Sequence, residues 1–182
     1  MKKSVLLVTL LMLISCVCGC NGKKNDSVSE SSMPEIMKKL EMPDVDISVP
    51  ADYESSSTDS NETVFVKNDA SIIINSDEFT EQYKTLDEYV DFAIETYKAY
   101  TDETEILVND KISANGCDGR MLEYTYKLNT DNGIFSKYCM TAFFSDSDQI
   151  YLVTCKSDVD TYENYHSEFL SIVNSFGLAE DK

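Results

Sequence analysis

Residues 119–155 read GRMLEYTYKLNTDNGIFSKYCMTAFFSDSDQIYLVTC, and this stretch predicts three consecutive antiparallel strands. In the first strand apolar and polar side chains alternate, which is the period-2 signature of a pleated strand. The connection 129–133 carries Asn and Gly, residues that tolerate the positive φ of a bulged hairpin loop, and 145–148 forms the second turn. The third strand is apolar at nearly every position, so we expect it to be covered on both faces. The three predicted strands are 120–128, 134–144 and 149–155.

More strands are predicted upstream of this meander. Residues 45–50 alternate so that Val45, Ile47 and Val49 share one face. β-branched residues dominate 63–67 and 70–75, which predicts a hairpin around Asn68 and Asp69. A short strand is predicted at 105–108, before a turn at Asn115–Gly116.

Two helices complete the pattern. Thr85 and Glu88 form a capping box, in which each side chain satisfies a free amide of the other residue, and the helix that follows should end near Tyr100. Acids and a hydroxyl at 157–160 suit the start of a closing helix. The buried stripe of that helix is Tyr162, Tyr165, Phe169, Ile172, Val173 and Phe176. The order of elements predicts an α+β fold, an antiparallel sheet with helices packed on its faces.

The amino terminus predicts export. Two lysines are followed by an apolar run at 5–14 that is too short to span a bilayer, so residues 1–20 fit a secretory signal peptide. VCGC at 17–20 resembles the bacterial lipobox, in which the final cysteine becomes diacylated. We therefore expect Cys20 to carry the lipid; Cys16, at the end of LISC, also fits the pattern. An ordinary cleaved signal is the alternative.

The exported part should contain a tether and one domain. Residues 21–42 are Ser-rich and polar, which predicts a flexible tether, although 34–40 could form two helical turns. Residues 43–182 are long enough for one core and too short for two, so they form a single α+β domain. The lipid would be the only attachment to the membrane, on its extracytoplasmic face.

The exported part is strongly acidic. Removal of Lys2 and Lys3 with the signal leaves 13 basic and 33 acidic residues, a net charge of −20. Such a surface repels phosphate backbones, which excludes nucleic acid as a partner class. The acids could bind cations or a basic partner, or they could serve only the solubility of a secreted domain.

Besides the lipid-bearing Cys20, three cysteines remain in the exported part: Cys117, Cys139 and Cys155. Their spacing is not a disulfide framework, and the exported part has no Cys-x-x-Cys motif for zinc. If a disulfide forms, we expect it to join Cys139 and Cys155, on neighbouring strands. A two- or four-residue turn would set Cys139 across from Thr154, and a three-residue turn would set it across from Cys155. We expect the reduced form to predominate.

No catalytic constellation is visible in the sequence. His166 is the only histidine, and we interpret it as a surface residue on a helix flank because no nucleophile or orienting acid accompanies it. Asp146 with Asp148, and Asp158 with Asp160, could each offer oxygens to Ca²⁺, but neither pair has a calcium-binding loop, and turn and helix-cap roles explain them. We predict no enzyme activity, no metal site and no cofactor.

The order of elements resembles a known family. ISVP at 47–50 followed by Tyr53, then the hairpin, helix, meander and closing helix that ends VNSF at 173–176, is similar to the PsbP-like domains over residues 44–178. The resemblance implies a compact α-β-α sandwich, a fold also found in bacterial lipoproteins. It further implies a non-enzymatic binding or assembly role, and it identifies no functional residues.

Two functions remain in competition. The first is a lipid-anchored extracytoplasmic module that binds or assembles a protein partner at the cell surface. The second is a solute- or cation-binding receptor that serves a transporter. The length of a single domain favours the first, because such receptors are usually larger and bilobed.

Overall fold

The computed structural model describes residues 37–41, 45–56, 62–131 and 133–179, the first range by its backbone alone. The predicted signal peptide, with Cys16 and Cys20, lies outside the described residues. Within these ranges no helix combines the length and the apolar character needed to cross a membrane.

Seven antiparallel strands form the main sheet, in the order β3-β4-β5-β9-β8-β7-β6. The meander predicted from 119–155 supplies β7, β8 and β9. β6 runs for 12 residues, well beyond the short strand predicted at 105–108, and has an irregularity between Ile106 and Val108. In chain order the strands are β3 (Glu54–Ser55), β4 (Glu62–Lys67), β5 (Ala70–Glu78), β6 (Glu103–Ala114), β7 (Cys117–Thr130), β8 (Gly133–Asp146) and β9 (Gln149–Asp158).

A second, three-stranded sheet joins the two ends of the described chain. β2 (Val45–Pro50) lies between β1 (Met37–Glu41) and β10 (Gly177–Leu178), and all pairs are antiparallel. The tether and helix predictions are therefore wrong at 37–41. Residues 36–40 do have a helical spacing of apolar side chains, but the edge of β2 offers a ladder of backbone hydrogen bonds, and that ladder prevails over local propensity.

The tight turns match their sequences. Asn115 and Gly116 both have positive φ (48° and 84°), as a two-residue hairpin turn between β6 and β7 requires. Asn68 (φ 54°) turns β4 into β5, as predicted, and Gly133 (φ 123°) begins β8.

The first helix, α1, spans Leu86–Tyr100, and its capping box is confirmed: the Glu88 N–H donates to the Thr85 hydroxyl, and the Glu88 carboxylate accepts from the Thr85 N–H. The second helix, α2, spans Tyr162–Asn174. It begins later than predicted, because β9 continues to Asp158 and keeps Ser157 in its pairing with β8.

The two helices lie on opposite faces of the main sheet. Tyr89 of α1 meets Phe143 edge to face with ring centroids 6.0 Å apart, whereas Phe144 stacks on Phe176, just after α2, at 4.0 Å. Since consecutive residues of a strand point to opposite faces, these contacts define an α1 face and an α2 face. The predicted antiparallel sheet with helices on its faces is confirmed.

The main core lies on the α2 face. β2 adds Val45, Ile47 and Val49 to it, and the predicted stripe of α2 supplies Phe169, Ile172, Val173 and Phe176. From the main sheet come Phe65, Ile72, Ile74, Met140, Phe144, Val153 and Cys155.

Candidate functional site

An open depression of about 600 Å³ lies where β6 begins and β9 ends. Its lining comes from α1, β6, β7, β8 and the residue after β9, so the ends of several elements shape it. The lining residues are Lys98, Asp102, Glu103, Thr104, Glu105, Thr125, Tyr126, Lys127, Ser136 and Val159.

The lining of this depression carries a small negative charge, with the acids Asp102, Glu103 and Glu105 against Lys98 and Lys127. Lys127 is 2.5 Å from the Glu103 carboxylate, so these two charges offset each other. Asp102 accepts a hydrogen bond from the Asn129 N–H at 2.6 Å, beside the turn of the β7–β8 hairpin. Glu105 is exposed and forms no hydrogen bond or ion pair with another described residue. The depression therefore presents a net surplus of hydrogen-bond acceptors.

Three large apolar side chains are exposed near the lining residues in sequence. Tyr100, Leu107 and Ile134 are 54%, 48% and 69% exposed, and they are the exposed large apolar residues of the described part of the chain. Each lies two residues along the chain from a lining residue. Exposed large apolar side chains are typical of surfaces that contact another protein.

A buried carboxylate cluster adjoins the depression on the α2 face. Tyr138 pairs with Thr125 across β7 and β8, and its hydroxyl donates to Glu123, which is only 9% exposed. Burial and this carboxylate together raise the pKa of Tyr138 far above its usual range, so its hydroxyl stays protonated. Tyr162 stacks on the Tyr138 ring with centroids 4.4 Å apart.

His166 belongs to this cluster and is not a free surface residue. Its Nε2 lies 3.3 Å from Glu123 Oε2, and its side chain is 35% exposed. Among the described residues His166 makes its hydrogen bonds to Glu123 alone. The Tyr138 hydroxyl and His166 Nε2 both contact Oε2 of Glu123, so the carboxylate links the strand to the helix.

The motif by which the sequence resembles the PsbP-like domains, ISVP at 47–50 followed by Tyr53, has a structural role. The Tyr53 N–H donates to the Pro50 carbonyl at 3.1 Å, and the Tyr53 hydroxyl donates to Glu168 of α2 at 2.6 Å. Lys67 approaches Glu168 and Asp52, each at 2.9 Å, and lies over the Tyr53 ring. The network links the chain after β2 to β4 and α2, so it holds these three segments of the fold together.

The predicted cysteine register is wrong. β8 and β9 close at Asp146 and Gln149 around a two-residue turn, which places Cys139 opposite Lys156 and Cys155 opposite Met140. The thiols therefore lie on opposite faces of the sheet, a geometry incompatible with a Cys139–Cys155 disulfide.

Burial also makes both of these thiols unreactive. It raises the pKa of Cys139 to about 11 and that of Cys155 further. Each thiol therefore stays protonated near neutral pH, and the thiolate is the reactive form.

The two predicted acidic pairs lie at turns. Asp146 ends β8, and the Asp148 carbonyl accepts a hydrogen bond from the Phe79 N–H at 3.2 Å. Asp158 ends β9 and pairs with Lys137. In the described ranges no group of three or more His, Cys, Asp or Glu residues could hold a metal ion.

Sequence reasoning missed the carboxylate cluster. Glu123 and His166 are 43 residues apart and belong to a strand and a helix. The only signal was that Glu123 lies two residues from Met121 on the same strand, so the two side chains share a face that is at least partly buried. Pattern alone does not show which helix covers that face.

Comparisons with known proteins place the fold. A family model described as PsbP-like protein matches residues 24–178. The solution structure of cyanobacterial PsbP (CyanoP) from Synechocystis sp. PCC 6803 aligns with a TM-score of 0.62 and 13% identity, over 85% of this chain and 98% of that one. No curated protein sequence matches the chain at a significant level.

Two other solved structures share the fold. The Ran-binding protein Mog1p of Saccharomyces cerevisiae aligns with a TM-score of 0.57 and 12% identity, over 79% of this chain and 96% of that one. LpqN, involved in cell envelope biogenesis of Mycobacterium tuberculosis, aligns with a TM-score of 0.55 and 12% identity, over 81% and 92%. At these identities the likeness is one of fold.

Proposed function

The chain belongs to the PsbP-like protein family, and we propose that it is a membrane-anchored extracytoplasmic lipoprotein that binds or helps assemble a protein partner at the cell surface. It works without chemistry of its own. The observation that carries the proposal is the open depression together with the exposed Tyr100, Leu107 and Ile134, which lie close to its lining residues in sequence. Large apolar side chains are costly to leave in water, and a partner that covers them recovers that free energy.

The negative charge of the exported part indicates what kind of partner surface it would bind. The exported part has a net charge of −20, and the depression adds Asp102 and Glu105 to this field. A partner with basic residues around an apolar centre is therefore favoured, and its rate of association should fall as salt rises.

The relatives support a binding role without defining the partner. Mog1p is described as a Ran-binding protein and LpqN as a protein involved in cell envelope biogenesis, so this fold serves protein binding and the cell envelope elsewhere. The exported, lipid-anchored location rests on the lipobox at 17–20.

The anchor is tested by acyl labelling in a bacterial host. Cys20→Ala should abolish incorporation of a labelled fatty acid and release or misprocess the protein, because the diacylated cysteine is the anchor. Cys16→Ala is the matched control and should label normally. Labelling that survives in Cys20→Ala and disappears in Cys16→Ala would assign the lipid to Cys16, and labelling that survives in both would remove the lipoprotein proposal.

The binding surface is tested by site-specific crosslinking at the membrane. A photoreactive residue at position 134 or 107 should yield a discrete protein adduct, which adding Tyr100→Ser should weaken severalfold. The control position is Ser171, which is exposed on α2 and remote in sequence from the depression lining. Equal adducts from 134 and 171, or none from 134 and 107, would contradict this surface as the binding site.

A further inference from the structure

β6 is the outermost strand of the main sheet, and its outer edge has no backbone partner among the described residues. It pairs with β7 alone and runs for 12 residues, whereas β3, at the opposite edge of the sheet, has two residues. An edge strand presents a row of free N–H and C=O groups, and proteins usually keep such strands short or cover them. A long open edge is therefore a place where a further strand can add.

The turn between β6 and β7 determines which backbone groups of β6 point outward. The two-residue turn at 115–116 makes the flanking Ala114 and Cys117 a hydrogen-bonded pair. Hydrogen-bonded and non-hydrogen-bonded pairs then alternate along an antiparallel ladder. Between this turn and the irregularity after Ile106, the N–H and C=O groups that point away from β7 belong to three exposed residues: Asn109, Lys111 and Ser113.

The side chains of β6 differ in charge between the two faces of the sheet. Glu105 and Asp110 lie on the α2 face, because their rows across β7 lead to core residues of that face on β8. Lys111 lies on the α1 face, because it pairs with Arg120, which in turn pairs with Phe143. Opposite charges on neighbouring strands attract when they share a face. An added strand is therefore favoured if its basic side chains lie on the α2 face and neutral ones lie beside Lys111.

A second copy of this chain is a poor occupant of the edge. The chain has a net charge of −18, so two copies repel each other. A lysine on an edge strand, such as Lys111, is also one of the devices by which proteins prevent identical edges from pairing. The same negative field attracts a basic segment of another protein.

We propose that the outer edge of β6 accepts an extended segment of the protein partner as an eighth antiparallel strand, with a basic residue at every second position. This inference rests on the proposed function, because the segment belongs to the same partner and the depression lies against Glu103–Glu105 at the start of β6. Leu107 is 48% exposed at the irregularity of β6, so an apolar side chain of the segment can cover it. Backbone hydrogen bonds supply the affinity, and the alternating side chains supply the specificity.

The test is amide hydrogen exchange in the full chain, measured by NMR with a basic heptapeptide, Thr-Lys-Val-Lys-Val-Lys-Thr, as the probe. In the free chain the amides of Lys111 and Ser113 should exchange much faster than those of Asp110 and Ile112, which donate to β7. Excess peptide should slow the exchange of Lys111 and Ser113 severalfold and leave Asp110 and Ile112 unchanged. No slowing at Lys111 and Ser113 would overturn the proposal.

Three control peptides separate charge from backbone pairing. Glutamate in place of the three lysines reverses the charge and keeps the alternation, so the slowing should disappear. In the proposed register the neutral residues lie opposite Lys111 and Ser113, so their N–H groups bond to β6. Methylation of the two valine nitrogens should therefore abolish the slowing, whereas methylation of the lysine nitrogens, which point away, should preserve it. A valine-methylated peptide that still slows exchange would contradict the added strand.

A proline variant tests the edge from the side of the chain. The Lys111 N–H points away from β7, so Lys111→Pro removes the outward donor without loss of a ladder hydrogen bond. The probe should then no longer slow the exchange of Ser113. Lys111→Ala is the matched control, because it keeps the donor, and Ser113 should remain protected. Equal protection of Ser113 in both variants would refute the pairing, and if the proline variant does not fold, the methylated peptides decide on the parent chain.

Crosslinking from positions 134 and 107 separates this inference from the proposed function. The yield of partner adduct should fall severalfold in Lys111→Pro relative to Lys111→Ala. Unchanged adducts, with no slowing of exchange by the probe, would overturn the added strand and leave partner binding intact. Absence of adducts in the parent chain would contradict the proposed function, and the exchange data would still decide whether the edge of β6 pairs with an extended basic segment.

Discussion

The two faces of the main sheet treat their polar residues differently. On the α2 face, buried polar groups have partners: Tyr53 donates to Glu168, and Tyr138 donates to Glu123. On the α1 face, Thr141 and Thr154 hydrogen-bond to each other, but Ser71 Oγ and Asn75 Oδ1 are buried and have no partner among the described residues. Buried polar groups without a partner are exceptions in folded proteins, so the two faces can be compared by what the fold loses when a polar group is removed from each.

The α2 face also contains a close aromatic stack. The rings of Phe144 and Phe176 are nearly parallel with centroids 4.0 Å apart, and both are fully buried. Changes on this face should therefore cost stability, whereas removal of a polar group from the α1 face should cost little or nothing. Three pairs of substitutions, from the largest expected effect to the smallest, test this difference.

Gly119→Ala should be the most damaging of these changes. A Cβ at this position would lie 2.5 Å from the Phe143 carbonyl oxygen and 2.7 Å from Cδ1 of Phe144, and the backbone cannot move aside. Overpacking of this kind costs roughly 1–3 kcal/mol and occasionally more. We expect a loss of about 3 kcal/mol in the free energy of unfolding, measured by urea titration.

Gly177→Ala is the control for this substitution. The nearest atom to its Cβ would be Cβ of Asn115, at 3.7 Å, which is an ordinary contact. Its stability should stay within about 1 kcal/mol of the parent chain. Similar losses at both glycines would show that the packing around Phe144 is looser than the structure indicates.

Two serines compare the polar groups of the two faces directly. Ser175, at the end of α2, accepts a hydrogen bond from the Ser48 N–H at 2.9 Å and donates to the Ile172 carbonyl at 2.7 Å. Ser175→Ala should therefore lose about 1–2 kcal/mol. Ser71→Ala removes a hydroxyl that has no partner, so it should leave the free energy of unfolding unchanged or raise it.

The control for this pair is Ser171→Ala. Ser171 is exposed on α2, where the substitution mainly improves helix propensity, and the effect should be below about 0.5 kcal/mol. The denaturation midpoints of the three variants should rank Ser175→Ala lowest. A loss in Ser71→Ala as large as that in Ser175→Ala would mean that the Ser71 hydroxyl is satisfied, and the two faces would no longer differ.

Much of the fold is visible in the sequence because it depends on local signals. The alternation of apolar and polar side chains predicted β7, β8 and β9, and the capping box predicted the start of α1. β1 was missed because a five-residue strand at a sheet edge is specified by the backbone of β2, which lies elsewhere in the sequence. The Cys139 register was wrong because a two-residue turn at Ser147 and Asp148 pairs Asp146 with Gln149 and so places Cys139 opposite Lys156, whereas a four-residue turn over 145–148 would place it opposite Thr154.

The depression could not be predicted from the sequence. It collects residues from five separate segments, and no local spacing pattern brings those segments together. His166 was predicted to be a surface residue because its partner, Glu123, is distant in sequence.

Two aspartates give the smallest but most direct contrast between the faces. Burial alone would raise the pKa of Asp69, but hydrogen bonds from Thr161, Tyr165 and the Asp158 N–H outweigh it and hold the pKa below its ordinary value. Burial raises the pKa of Asp77 on the α1 face, and the hydrogen bonds from the Glu78 N–H and the Tyr89 hydroxyl offset only part of this. The ionised form is thus favoured by folding at Asp69 and disfavoured at Asp77.

The two variants should therefore show opposite dependences on pH. Ionised Asp69 stabilises the fold above its unfolded pKa of about 4, and that contribution is lost as the pH falls through its lower folded pKa. Asp69→Asn should therefore be less stable than the parent by about 1 kcal/mol at pH 7 and close to the parent near pH 3. Asp77 begins to penalise the fold as the pH rises above its unfolded pKa of about 4, and the penalty is complete above its raised folded pKa. Asp77→Asn should match the parent near pH 3 and be slightly more stable at pH 7, by an amount that solvent screening keeps small. Urea titrations at intervals between pH 3 and 7 measure both differences, and two differences of the same sign at pH 7 would contradict the contrast between these two aspartates.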